Sequence, residues 1–204
     1  MSAAREQIMS RVRGALAPLS ERAPLPDWDA SLVALRQRST GEDLWTLFAE
    51  RLKAVNGTPL QDVAALVELL DRGGWHHGYC DATIWNEIKS AFPAHFVVET
   101  RFDRARVDEY KFGITPADGA IAETGTIILS DARTENRLTA LAPWVHVAVV
   151  RLEQIHQDVT SAIASLPADP NVVWITGPSK TADVEGILIE GVHGPGIQAA
   201  LRWR

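Results

Sequence analysis

Glu123 stands between the apolar pair Ile121-Ala122 and the turn residues Thr124-Gly125-Thr126. A carboxylate beside a glycine at a strand end lies where open α/β sheets hold their ligands. Its chemistry there is that of a general base, a nucleophile or a carboxylate that binds a hydroxyl. A helix cap or a backbone tether fits the same pattern, so both readings stand. Thr124 and Thr126 put two hydroxyls at the same rim, although threonine beside glycine also serves as turn chemistry.

A second cluster follows the apolar run Asn171 to Thr176. Gly177, Pro178, Ser179, Lys180 and Thr181 bring small residues, two hydroxyls, an ammonium and free backbone N–H groups to a strand end, ahead of Asp183 and Glu185. That composition suits an anion cradle, and it suits equally a loop with a solvated lysine and a capping Asp183. It is not a Walker A loop, because the glycine required before a Gly-Lys pair is missing. His193, flanked by Val192 and Gly194, is either an acid, base or ligand contact or a structural turn histidine. His76, His77, His95, His146 and His156 show no metal-ligand spacing with cysteine or carboxylates, so no metal is expected. His146 reads as a buried, hydrogen-bonded strand residue.

The elements that must carry these residues change period along the chain. Ile8, Val12, Ala15 and Leu16 predict a short amphipathic helix that ends at Pro18, followed by a proline-rich arm with Pro24 and Pro26. Residues 1–40 are therefore expected as helix and arm, and residues 41–204 as the folded domain. Ser39 with Glu42 and Thr40 with Asp43 match capping boxes for a helix with the stripe Leu44, Leu47, Phe48, Leu52 and Val55. Thr58 and Gln61, with Pro59 at the first helical position, predict a partner helix up to Gly73-Gly74. From residue 75 on, strands and helices alternate. Strands are expected at 75–80, 95–100, 120–121, 126–130, 144–150 and 171–176, with helices at 82–91, 134–142 and 153–166, the first of them capped by Asp81. Continuous Val/Ile runs between helices indicate a mostly parallel sheet covered on both faces.

Composition excludes other classes. The chain has 204 residues, 46% hydrophobic and 23% charged, enough for a sizeable core. Its net charge of -6 argues against nucleic acid, and its seven tryptophans are not interleaved with basic residues. The single cysteine, Cys80, can neither form an internal disulfide nor supply the four thiolates of an iron–sulfur cluster. Neither a leader-type apolar stretch nor a run of about 18 apolar residues is present, so a cytoplasmic chain without membrane insertion is expected.

The segment from Gly113 to Asp131 (GITPADGAIAETGTIILSD) resembles the Ala-Glu-Thr-Gly-Thr block of the lactate-utilisation protein C family, the LUD-domain proteins. Ile175 to Glu185 (ITGPSKTADVE) with Gly191 to Pro195 (GVHGP) resembles that family's closing signature in sequence and spacing. Arg137 and Pro143, ahead of a strand with His146, also stand where the family has an Arg and a Pro. The resemblance implies a three-layer Rossmann-like α/β sandwich, similar to the sugar-phosphate isomerase and coenzyme A transferase group. It also implies a cluster-free member of a bacterial system that oxidises L-lactate to pyruvate, with iron–sulfur clusters in its partner subunits and no cofactor of its own. On that reading Glu123 is the catalytic candidate. Thr124, Gly125, Thr126, Gly177, Ser179, Lys180, Thr181, Asp183 and His193 would contact a small organic acid or another anion. A non-catalytic scaffolding subunit and a stand-alone isomerase or acyl-transferase are the alternatives.

Overall fold

The computed structural model describes residues 3–18, 42–130, 137–166, 171–182 and 188–204. Pro24, Pro26, Ser39, Thr40 and Asp183, and residues 134–136 of the expected helix, lie outside the described residues. Residues 1–37 and 38–204 form two compact units. In the first, helix α1 (Ala3–Leu16) carries Ile8, Val12 and Leu16 exposed along its length.

The second unit opens with α2 (Glu42–Ala54), β1 (Thr58–Leu60), α3 (Val63–Arg72), β2 (His77–Cys80), α4 (Ala82–Ile88) and β3 (Val97–Glu99). It continues with β4 (Phe112–Pro116), β5 (Gly119–Ile121), β6 (Thr126–Ser130), α5 (Leu138–Leu141) and β7 (Val145–Arg151). The remainder is β8 (Ile155–His156), α6 (Val159–Ser165), β9 (Val172–Ile175), β10 (Lys180–Ala182), β11 (Leu188–Glu190) and β12 (Ile197–Trp203). Six strands form an all-parallel sheet in the order β1-β12-β7-β4-β2-β3. A second sheet, β8-β5-β6-β9, pairs β5, β6 and β9 antiparallel, and β10 and β11 form a hairpin.

Side-chain alternation on β7 sets the layers. Val145, Val147 and Val149 pack with Phe112, Ile114, Ala199 and Leu201 against Leu66 and Leu70 of α3 and Ile84 and Ile88 of α4. Ala148 and Val150, on the other face, pack with Ala200 against Trp45, Phe48 and Leu52 of α2 and Ile127 and Leu129 of β6. α6 covers the far side of the second sheet through Ala162, Ile121 and Ile128. A helix layer, the parallel sheet and a mixed layer of α2 with the second sheet thus make an α/β sandwich. Removing one fully buried side chain such as Leu66 costs about 2–5 kcal/mol at a site of this kind.

The parallel sheet buries one polar cluster, His146 with Thr115 of β4 and Gln198 of β12. His146 Nδ1 lies 2.9 Å from Gln198 Oε1, and its Nε2 lies 2.9 Å from Thr115 Oγ1. Gln198 donates its amide to Ala199 O, so its carbonyl must accept from His146 Nδ1–H. The Thr115 hydroxyl then donates to Nε2 of a neutral ring. Burial pushes the His146 pKa down to about 4, and the hydrogen bond to Gln198 opposes it.

Three expectations are corrected. Thr58 to Leu60 is a strand, not the start of a helix: α3 is capped by Asp62, whose carboxylate accepts from Ala65 N at 2.8 Å. Pro59 is tolerated because β1 is the sheet's edge, where one side of the strand has no partner to lose. Residues 153–166 are not one helix. A 3-10 turn (Leu152–Gln154) leads into β8, and α6 begins only after Asp158, whose carboxylate accepts from Ser161 N at 2.8 Å. Finally, β5, β6 and β9 leave the parallel sheet and form the second one. Asp81 does cap α4, accepting from Thr83 N at 2.9 Å.

Candidate functional site

The two sequence blocks meet at one corner of the mixed layer. Glu123 lies within the turn after β5, and its Oε1 accepts from Val159 N, the first amide of α6, at 3.0 Å. Its own N–H donates to Gln157 O at 3.1 Å, and its Oε2 is sealed from solvent. The carboxylate thus holds the entry of α6 against the β5–β6 turn. The Thr124 hydroxyl lies 2.7 Å from that of Thr126, which lies 2.8 Å from that of Thr176, fifty positions downstream. These three hydroxyls bond to one another and join the blocks.

Two glycines let the carboxyl end of α2 close on this corner. Gly125 has φ +66°, and a Cβ there would lie 2.4 Å from Leu52 N and 2.6 Å from Arg51 C. Gly177 has φ +77°, and its Cβ would lie 2.2 Å from Val55 O. No side chain fits either place, and L residues avoid that backbone region. Lys180 donates to Val55 O at 3.2 Å and pairs with Glu190 at 3.6 Å, while Asn56 Nδ2 donates to Glu190 Oε1 at 2.7 Å. Ser179 N donates to Pro195 O and Gly191 N to Ser179 O, both at 2.9 Å, which ties the 177–181 loop to the 191–195 segment. Thr181 lies within β10. His193 is exposed and faces another hollow, of about 420 Å³, with Lys111, Tyr110 and Trp144 near the amino ends of β4 and β7. Glu123, Thr124 and Thr126 do not line that hollow.

The opposite end of the parallel sheet holds a feature that sequence reasoning missed. After β2 the chain enters α4 on the helix face, and after β4 it passes through Ala117 to the other face. β3 and β4 flank β2 on opposite sides, so the strand order reverses there. Such a switch point opens a crevice at the carboxyl ends of the strands. Two adjoining hollows of about 330 and 660 Å³ lie at that end and share Glu87 and Trp203. Arg151 lines the first, and Arg202 and Arg204 line the second. The nearby acids Asp62 and Asp81 are engaged as helix caps. In a chain of net charge -6, arginines from two adjacent strand ends thus face the crevice. The sequence signal was slight: arginines at the ends of β7 and β12, with no motif around them.

Cys80 is fully buried, and desolvation pushes its thiol well above the ordinary thiol range. Such a thiol is a poor nucleophile and a poor ligand. Among the described residues, no helix is long and apolar enough to cross a membrane.

The LUD domain model matches residues 81–198, more than half of the chain. Proteins named "Lactate utilization protein C" are similar to it. That of Deinococcus radiodurans is 36% identical over 102 residues, 48% of either chain. That of Bacillus subtilis is 33% identical over 103 residues, 47% of this chain and 42% of its own. That of a Geobacillus species is 30% identical over 145 residues, 67% of this chain and 56% of its own. The chain spans about half the length of the curated relatives it matches. The crystal structure of a DUF162 family protein from Deinococcus radiodurans shares the fold. It has a TM-score of 0.56 at 23% identity and covers 81% of this chain and 99% of its own.

Proposed function

Because the chain belongs to the LUD-domain family, we propose that it is the cluster-free component of a bacterial system that oxidises L-lactate to pyruvate. Its partners in that system are iron–sulfur proteins. In this reading the crevice at the carboxyl ends of β2, β4, β7 and β12 receives a small carboxylate. The observation that supports it is the lining: three arginines, Arg151, Arg202 and Arg204, against the carboxylate of Glu87 and the aspartates Asp62 and Asp81, which cap α3 and α4. A guanidinium suits a carboxylate because its planar donors match both oxygens. Glu123, Thr124, Thr126 and the 177–181 loop then shape the body that holds the crevice, and electron transfer belongs to the partners.

A scaffolding subunit without a ligand is the second reading, and the bonding of Glu123 to the α6 amide favours it. Reconstituting lactate oxidation from the iron–sulfur proteins with and without this chain, and titrating the chain with L-lactate and pyruvate, separates the two. The first reading expects turnover only when the chain is present, and carboxylate binding weakened about tenfold or more in Arg151→Ala, about 1.4 kcal/mol. Equal turnover without the chain would overturn both readings. Restored turnover with no carboxylate binding would select the scaffold.

A further inference from the structure

At the amino end of the parallel sheet, far along the strands from the crevice, three side chains converge that are scattered in sequence. Asp71 stands in the last turn of α3, His76 just before β2, and His95 in the turn before β3. The Nε2 atoms of both histidines point at one oxygen: Asp71 Oδ1 is 3.2 Å from His76 Nε2 and 2.8 Å from His95 Nε2. All three donor atoms lie within 4.8 Å of one another. We propose that Asp71, His76 and His95 form a binding site for a divalent first-row transition metal ion such as Zn²⁺.

The spacing suits coordination. Ligands about 2.0–2.1 Å from one ion at angles between 90° and the tetrahedral value lie about 2.9–3.4 Å apart. Of the two Asp71–His separations, 3.2 Å falls inside that range and 2.8 Å just below it, so a small outward rotation of the side chains admits the ion. Two imidazoles and one carboxylate are a donor set for Zn²⁺, Co²⁺, Ni²⁺ or Cu²⁺ and a poor one for Ca²⁺ or Mg²⁺, which prefer oxygen.

The rings are also held in place. His76 and His95 pack edge to face with centroids 4.7 Å apart, and Phe96 touches both, at 5.1 Å and 4.8 Å. Phe96 is anchored in turn against Phe92 and Phe112. The backbone fixes the three ligand positions as well. Trp75 N donates to Leu70 O at 3.0 Å, Val97 N to His76 O at 2.8 Å, and Phe96 N to Pro93 O at 3.1 Å. Rings oriented before an ion arrives lose less freedom on binding it. The three side chains are about half exposed, so an ion enters without unfolding anything, and its remaining positions are open to water or to an outside donor.

In the ion's absence each Nε2 carries the proton that bonds to Asp71. Coordination needs the Nε2 lone pair, so each neutral ring moves its proton to Nδ1, and a protonated ring releases one to solvent.

The test is calorimetric titration of the chelator-treated full chain with ZnCl₂, together with the visible spectrum of the Co²⁺ form. One site per chain is expected. His76→Ala and His95→Ala should each weaken binding about 100-fold and change the Co²⁺ bands, and their thermal transitions without metal should stay close to the parent's because both side chains are half exposed. His77→Ala, at the adjacent residue whose ring bonds to Glu99, should leave the affinity unchanged. Absence of a stoichiometric site, or affinity that does not respond to either His76→Ala or His95→Ala, would overturn the proposal.

Discussion

The motif corner and the crevice use polar side chains in opposite ways. At the corner, Glu123 takes the first amide of α6, Thr124, Thr126 and Thr176 bond to one another, and Lys180 bonds to the end of α2. At the crevice, Arg151, Arg202 and Arg204 line two hollows at the strand ends with no comparable sequence signature. A dense motif therefore marks where the chain must close on itself as readily as where it meets a ligand. Glycines with positive φ and hydroxyls in mutual contact are demanded by tight packing alone.

The sharpest attempt to break this contrast is Gly125→Ala. The new Cβ would collide with the α2 backbone and the residue would remain at φ +66°, so stability should fall by about 3 kcal/mol or more. Urea unfolding at pH 7 reads this directly. A midpoint near the parent's would mean that the corner is loosely packed.

His146 extends the contrast to the core, where a polar group is likewise turned inward. Its folded pKa of about 4 lies below the ordinary 6.5, so between those values the unfolded chain binds more protons. Its contribution to stability is complete above pH 6.5 and is lost as pH falls toward 4, by at most about 3 kcal/mol. Urea unfolding at pH 7, 5.5 and 4.5 should show this slope, and His146→Gln should flatten it. An unchanged slope in the variant would assign the acid sensitivity to other groups.

The smallest expected effect is the most informative about chemistry. Glu123→Gln keeps an oxygen for Val159 N–H and loses the charge, so stability should fall by about 1 kcal/mol while lactate-dependent turnover of the reconstituted system is largely kept. Loss of turnover by about 100-fold at an unchanged melting temperature would instead make Glu123 a catalytic carboxylate and move chemistry into the corner.

Of the parallel sheet, β2, β3 and β7 were legible, β7 most plainly because it is buried almost throughout and reads as the apolar run Val145 to Val150. β4 and β12 escaped because Gly113, Thr115 and Gln198 interrupt their apolar pattern, and their burial is decided only by the neighbours they pair with. Asp81 was legible as a cap because its signal is local. Pro59 misled because proline suits a first helical turn and an edge strand alike, and only the pairing of β1 with β12 decides. The departure of β5 and β6 from the main sheet had a local sign, the glycine turn that folds them antiparallel, but apolar runs do not say which sheet they join. Asp158 with Ser161 offered a cap inside what looked like one helix, and helical spacing through Ile155 obscured it. The blocks around Glu123 and Ser179 were visible as motifs, but their contact with α2 was not. Asp71, His76 and His95 come from three elements, and the crevice arginines from strand ends, so neither grouping exists before the sheet is assembled.

The pairing of β1 with β12 also bears on the order of folding. β12 lies between β1 and β7, and Thr58 pairs with Ala199, about 140 positions away. Strand β1 cannot dock until β12 is in place, so a ribosome must make nearly all of this unit before its sheet can be completed. Until then β7 has only one of its two neighbours, and an apolar strand with an open edge invites the wrong partner. During synthesis the chain is thus most vulnerable to aggregation in the interval between β7 and β12, when a chaperone would have the most to shield.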